Sequence, residues 1–210
     1  MDYLKIEVSR DHPLLNACQE ALLDQIWQKN PCLPLTGRLL DIGPGKGFYT
    51  RYFLRRGFQV SCLDIDPSLR ASFEALGCEF RVADARAEKL PYEDETFDVV
   101  WCSHVIEHLP NPLHFLEELR RSVKIGGFVI LRTPDVRRVK FDFWTDPTHL
   151  HPFTLVSLTK LVTLANLETV WASNCDLPEI RGLHRVRGYR WAPWLLFKGI
   201  NLLAIAKRTG

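Results

Sequence analysis

Residues 39–50 read LLDIGPGKGFYT, and the order of apolar run, acid and glycines in this stretch decides the fold. RLLDIG (38–43) has the form of a short apolar strand, and Gly43, Gly45 and Gly47 follow it directly. A helix is expected over 48–56, closed by Gly57. Glycine allows positive φ and lets the backbone come close to a ligand. The start of the next helix offers unpaired N–H groups to whatever sits in the turn. A pyrophosphate or an amino-acid carboxylate would both suit that place. Spacing separates the two. A dinucleotide fingerprint, G-x-G-x-x-G, would put its third glycine at 48, where Phe48 stands. The observed order is G-x-G-x-G, with Asp41 two residues ahead of Gly43. A nicotinamide-dependent oxidoreductase is therefore disfavoured. The plainer reading is a tight turn with Asp41 capping the helix.

Outward from the turn, strands and helices alternate. FQVSCLD reads as a strand, with a helix from Pro67 to Leu76 after it. CEFRVAD is a third strand. FDVVWCS is a fourth, with a helix from Pro112 to Lys124, and GGFVILRT is a fifth. Such alternation implies βαβ units and a mostly parallel sheet. Apolar runs such as DVVWC suit a sheet covered on both faces. Upstream, residues 12–29 carry Leu15, Leu22, Leu23 and Ile26 at near-helical spacing. Downstream, 135–153 reads as a loop, FTLVSLTKLVTLAN as a helix, LETVWAS as a strand, 175–198 as irregular and NLLAIAKR as a last strand.

LLDIGPGKGFYT resembles the first motif of the class I S-adenosylmethionine-dependent methyltransferases. The resemblance extends over residues 37–134 and weakens beyond. It implies an α/β, Rossmann-like three-layer sandwich. The sheet would be seven-stranded and mostly parallel, with one antiparallel strand near the C-terminus. It also implies one domain over 1–210, with a helical extension at 1–36 and acceptor-side loops at 135–153 and 175–198. The cofactor implied is S-adenosyl-L-methionine. Asp41 would lie near its methionine part, with Gly43, Gly45 and Gly47 against it. CLDIDPS places Asp64 where the family has an acid for the ribose hydroxyls, followed by Ile65. Asp66 is the rival, though Asp66-Pro67 more naturally opens a helix. VADARAEKL resembles the segment in which an acid, here Asp84, and the next backbone unit, Ala85, meet the adenine. Asp84 also reads as a turn cap. Ser103 and His104 close the fourth strand, where ligands of open α/β sheets bind. Glu107 and His108 match a Glu-His pair frequent in the small-molecule branch, with His108 read as structural.

Methyl transfer to a hydroxyl requires loss of a proton, a task suited to histidine. WTDPTHLHPFT resembles a D-P-T-H-x-x-P-F/Y loop of methyltransferases from glycan and polysaccharide pathways. His149 is then the candidate base, with Asp146 fixing its tautomer and His104 in reserve. A loop held by Asp146 capping and histidine–backbone bonds is the competing reading. A divalent ion on Asp146, His149 and His151 is geometrically awkward within six residues, so no metal is expected. RGLHRVRGYR carries Arg181, Arg185, Arg187 and Arg190, and WAPWLLFKGINLL follows it. The pair suggests a phosphorylated or lipid-linked acceptor and peripheral membrane contact, or else a solvated face before a core strand.

Composition bounds the rest. Apolar residues are 46% of 210, charged residues 25%, and the net charge is +2. These are globular values, and the charge is too small to point to nucleic acid. The six cysteines form no C-x-x-C pair, which suits free thiols in a reducing cytoplasm. MDYLKIEVSRDHP has no apolar core of a signal peptide, and no apolar run reaches 18 residues. The expectation is a cytoplasmic O-methyltransferase of a small molecule or sugar. The alternative is a non-catalytic S-adenosylmethionine-binding partner or regulator.

Overall fold

The computed structural model describes residues 13–175 and 200–210. Seven strands form one sheet: β1 (Gly37–Ile42), β2 (Phe58–Asp64), β3 (Glu79–Val82), β4 (Phe97–Ser103), β5 (Val123–Pro134), β6 (Glu168–Cys175) and β7 (Asn201–Lys207). Their order is β3-β2-β1-β4-β5-β7-β6. β1 to β5 pair in parallel. β7 runs antiparallel to both of its neighbours, so it alone is reversed. The expected Rossmann-like sheet with one reversed strand near the C-terminus is what the structure shows.

Two apolar layers cover the sheet, and side-chain alternation along each strand sorts residues between them. Leu39 of β1 joins Trp101 and Val99 of β4 on one face. There they meet Leu23, Ile26 and Trp27 of α1 (Pro13–Lys29), Phe53 of α2 (Phe48–Arg55) and Phe73 of α3 (Arg70–Glu74). Leu40, Ile42, Val100 and Cys102 face the other way, onto Leu116 and Leu119 of α4 (Pro112–Ser122). Leu158 and Val162 of α6 (Leu155–Leu164) complete that layer. Strands buried on both faces explain why their sequences are continuous apolar runs.

Several boundaries depart from expectation. The segment after Asp66 is a 3-10 turn, Pro67–Leu69, followed by α3, which stops at Glu74. α4 ends at Ser122, because Val123 already pairs with Phe97 and so belongs to β5. The 135–153 stretch is structured: α5 (Val136–Val139), capped by Asp135 onto the Arg137 amide, leads into a 3-10 helix, Lys140–Thr145. Asp135 then bridges to Phe153 in a parallel contact that closes the loop on β5. The arginines of the 181–190 segment lie outside the described residues. No described helix is long and apolar enough to cross a membrane.

Candidate functional site

The chain leaves β1 for β2 and β3 on one side and returns to β4 on the other. Ligands of such sheets bind at this reversal, outside the carboxyl ends of the strands. Nearly every acid and histidine singled out from the sequence falls on that rim or on the loops above it.

The turn after β1 carries φ of +66°, +52° and +74° at Gly43, Gly45 and Gly47, a region costly for other residues. Gly43 donates to the Leu63 carbonyl at 2.9 Å, tying the turn to β2. A Cβ on Gly43 would stand 2.5 Å from Val105 Cγ2, whereas one on Gly45 would meet nothing within 4 Å. Backbone therefore lies open to a ligand at Gly45.

Asp41 is 1% exposed and accepts from Thr50 Oγ1 at 2.6 Å. Burial pushes its carboxyl up to about 7, the Thr50 bond opposing and the Asp64 charge adding. Trp101, opposite Asp41 in the β1–β4 register, is 1% exposed, and its indole N–H has no hydrogen-bond partner among the described residues. Asp64 at the end of β2 is half-buried, and Oδ1 accepts from the Asp66 amide at 3.0 Å. Burial raises its carboxyl above the usual range. Ile65 beside it is 58% exposed, an apolar face at the rim. Asp66 caps the 3-10 turn onto Ser68 N at 2.8 Å, as its Pro67 neighbour led one to expect.

Asp84 has a turn role in the structure: Oδ1 accepts from Arg86 N at 2.8 Å. Its two oxygens also receive the Arg86 guanidinium, which holds the carboxyl below the usual range. Ala85 is half-buried between them. Ser103 Oγ accepts from Arg132 Nη1 at 3.2 Å.

The histidines gather over β4 and β5. His104 Nδ1 lies 3.1 Å from Glu107 Oε1, and Glu107 is fully buried. His108 Nδ1 meets Thr148 Oγ1 at 2.8 Å, and burial lowers its basicity. His149 Nδ1 donates to the Phe143 carbonyl at 2.6 Å, and Nε2 stands 3.8 Å from Asp146 Oδ2. The tautomer of His149 is thus set by that carbonyl, not by Asp146, whose Oδ1 instead accepts from Thr148 N and Oγ1. His151 lies 3.4 Å from the Pro110 carbonyl through Nε2. Glu107, His108 and His149 present ligand atoms within 4.8 Å of one another, the described group best able to hold a metal. Both Glu107 oxygens are already engaged by His104 and Thr133. Sequence reasoning noted Glu107 only as part of a pair.

The rim suits a ligand with an amino-acid part, a ribose and a flat apolar ring. The open backbone at Gly45, the half-buried Asp64 carboxylate and the exposed Ile65 are the features that fit it.

Residues 40–131 match the family described as a methyltransferase domain. An uncharacterized methyltransferase of Mycobacterium sp. (strain KMS) is 32% identical over 112 residues, 53% of this chain and 44% of that protein. A sarcosine/dimethylglycine N-methyltransferase of Aphanothece halophytica is 31% identical over 131 residues, 59% of this chain and 47% of that protein. The chain thus spans less than half the length of these curated relatives. A putative methyltransferase of Bacillus halodurans has the same fold, with TM-score 0.67 at 21% identity over 91% of this chain and 99% of that one. So does a putative methyltransferase in complex with the Haloferax volcanii Trm112 activator, with TM-score 0.68 at 17% identity over 94% and 97%. Together these findings show a methyltransferase-domain match over residues 40–131, less than half of the chain, and a fold shared with solved methyltransferases.

Proposed function

We propose that this chain is an S-adenosylmethionine-dependent methyltransferase that methylates a hydroxyl of a small molecule, a sugar or glycan hydroxyl being the favoured class. The observation that carries the reading is the pairing of Gly45, open above the end of β1, with the half-buried Asp64 carboxylate on the adjacent strand. The cofactor, when bound, supplies a methyl carbon on a sulfonium, so that its C–S bond breaks as the acceptor's O–C bond forms. The chain's own work is positioning and proton removal.

The glycine turn would take the amino-acid part at the open Gly45 backbone, with Asp41 beneath; the Gly43 and Gly47 amides shape the turn, since they donate to the Leu63 and Pro44 carbonyls. Asp64 would accept from the ribose hydroxyls. Ile65, Asp84 and Ala85 would flank the adenine, and Ser103 would line the cofactor side of the rim. The acceptor would enter over the ends of β4 and β5, beside the 135–153 loop. A histidine there takes the hydroxyl proton. Of the two candidates, His149 with Asp146 as its partner and His104, the latter has the closer carboxylate, buried Glu107 at 3.1 Å against 3.8 Å between His149 and Asp146. Exposed Phe141 and Trp144 on the loop favour an acceptor with an apolar or lipid-linked part. The protein would act in the cytoplasm, without nucleic acid.

Labelled methyl transfer from the donor, screened over pools of sugars, glycolipids and amines, tests the reading. Transfer to a hydroxyl is expected. Transfer only to nitrogen, the atom named for the Aphanothece relative, would overturn the O-methylation part. No affinity for donor or demethylated product, read by quenching of the six tryptophans, would overturn all of it.

A further inference from the structure

Glu107 has no exposed surface. Oε1 lies 3.1 Å from His104 Nδ1, and Oε2 accepts from Thr133 Oγ1 at 2.9 Å. Its main-chain carbonyl accepts from the amides of Leu150 at 2.8 Å and His151 at 3.0 Å. One residue thus ties the end of β4 to β5 through its side chain and to the histidine loop through its backbone. A buried carboxylate stays ionised only where its oxygens are paired, and both are.

His104 completes the arrangement from the other side. Its φ is +57°, a conformation a histidine keeps only where its surroundings impose it. Its amide donates to the Arg132 carbonyl at 2.9 Å, which fixes the backbone on β5. The side chain is 32% exposed, so the ring reaches the rim while its Nδ1 edge meets the buried acid. An ionised carboxylate only accepts hydrogen bonds, so a neutral ring must turn an N–H toward it.

We propose that Glu107 is a positioning residue that keeps the proton of neutral His104 on Nδ1, leaving Nε2 bare to receive the proton of the acceptor hydroxyl. The Thr133 bond prevents the carboxylate from rotating away. When the hydroxyl O–H breaks, its proton passes to Nε2. The resulting imidazolium lies against the negative charge of Glu107 and later returns the proton to solvent. The inference rests on the proposed hydroxyl methylation, but its first test does not need the donor.

Full-length protein labelled with ¹⁵N-histidine is compared with Glu107→Gln, and the His104 signals are assigned by their loss in His104→Gln. The wild-type ring is expected to carry its proton on Nδ1, with a downfield Nδ1 proton resonance. That resonance is expected to move upfield in Glu107→Gln. A wild-type ring protonated on Nε2, or a resonance unchanged by Glu107→Gln, overturns the assignment. The wild-type spectrum decides alone if the variant does not fold. Once an acceptor is found, Glu107→Gln is expected to lower kcat by about 10²-fold with donor KM unchanged. Full activity in that variant also overturns it. Absence of donor binding in the wild type strikes instead at the methyltransferase reading and leaves the ring measurement standing.

Discussion

Asp41 lies sealed under the glycine turn with a carboxyl pushed up to about 7 by burial. Its unfolded value is near 3.8, so between those limits the folded protein binds a proton that the unfolded chain has lost. The sign follows: this contribution to stability is complete below pH 3.8 and is lost as pH rises through about 7. The loss amounts to about 4 kcal/mol at most, three pH units at about 1.4 kcal/mol each. Urea melts of the free protein across this range, compared with Asp41→Asn, are expected to show the difference. Parallel curves would show that Asp41 is ionised when folded. Asp64 behaves differently because it is half-buried at the rim. Asp64→Ala is expected to weaken binding of the demethylated product by about 10–100-fold, the loss of hydrogen bonds to a charged group. Its melting temperature should hardly change, since the carboxylate removed is already disfavoured by burial. Titration calorimetry and thermal melts together check this. Asp41, Asp64 and the glycines could be singled out from the sequence because each stands in a short motif, and the Asp41–Thr50 bond lies within one of them; the tie from Gly43 to Leu63, 20 positions on, does not. The partners of Glu107 could not be, because Thr133 is 26 positions away and the amides of Leu150 and His151 farther still. At His149 the sequence showed only half: Asp146, three positions off, faces Nε2 at 3.8 Å, while the Phe143 carbonyl, which no pattern pointed to, takes Nδ1.

Among the elements, the turn between β1 and α2 separates two kinds of glycine. Gly43→Ala combines a φ of +66° with a Cβ pressed to 2.5 Å from Val105 Cγ2. Gly45→Ala has the conformational strain alone, about 1–2 kcal/mol, with free space around the new methyl group. Gly45→Ala is therefore expected to be the more stable variant yet to bind the demethylated product at least about tenfold more weakly, about 1.4 kcal/mol. Chemical denaturation and calorimetry on the two proteins test the pair. Wild-type affinity in Gly45→Ala would mean that the ligand sits elsewhere. Core strands were readable in advance because burial on both faces leaves an unbroken apolar run. Their ends were less so. Val123 looks like the last turn of a helix until Phe97 claims it for the sheet. α5 and the 3-10 helix after it carry no apolar period, and only the Asp135 cap and the bridge to Phe153 organise them.

In the molecule as a whole, β7 is buried along almost its entire length and supplies the pairing partner of both β5 and β6. A protein lacking residues 201–210 is expected to lose β6 together with β7 and to be recovered mainly as aggregate. Recovery of soluble, cooperatively melting protein from that deletion would contradict it. Alternation of strand and helix made the parallel half of this sheet readable. The position of β7 was not, because NLLAIAK is equally suited to an edge or to the interior. Its insertion between two earlier strands has a consequence for birth on the ribosome. β6 emerges before β7, the strand that docks it among the described residues, so the nascent chain must carry two raw sheet borders at once. Such an intermediate is a natural client for a chaperone, and synthesis slowed just ahead of codon 201 would lengthen its exposure.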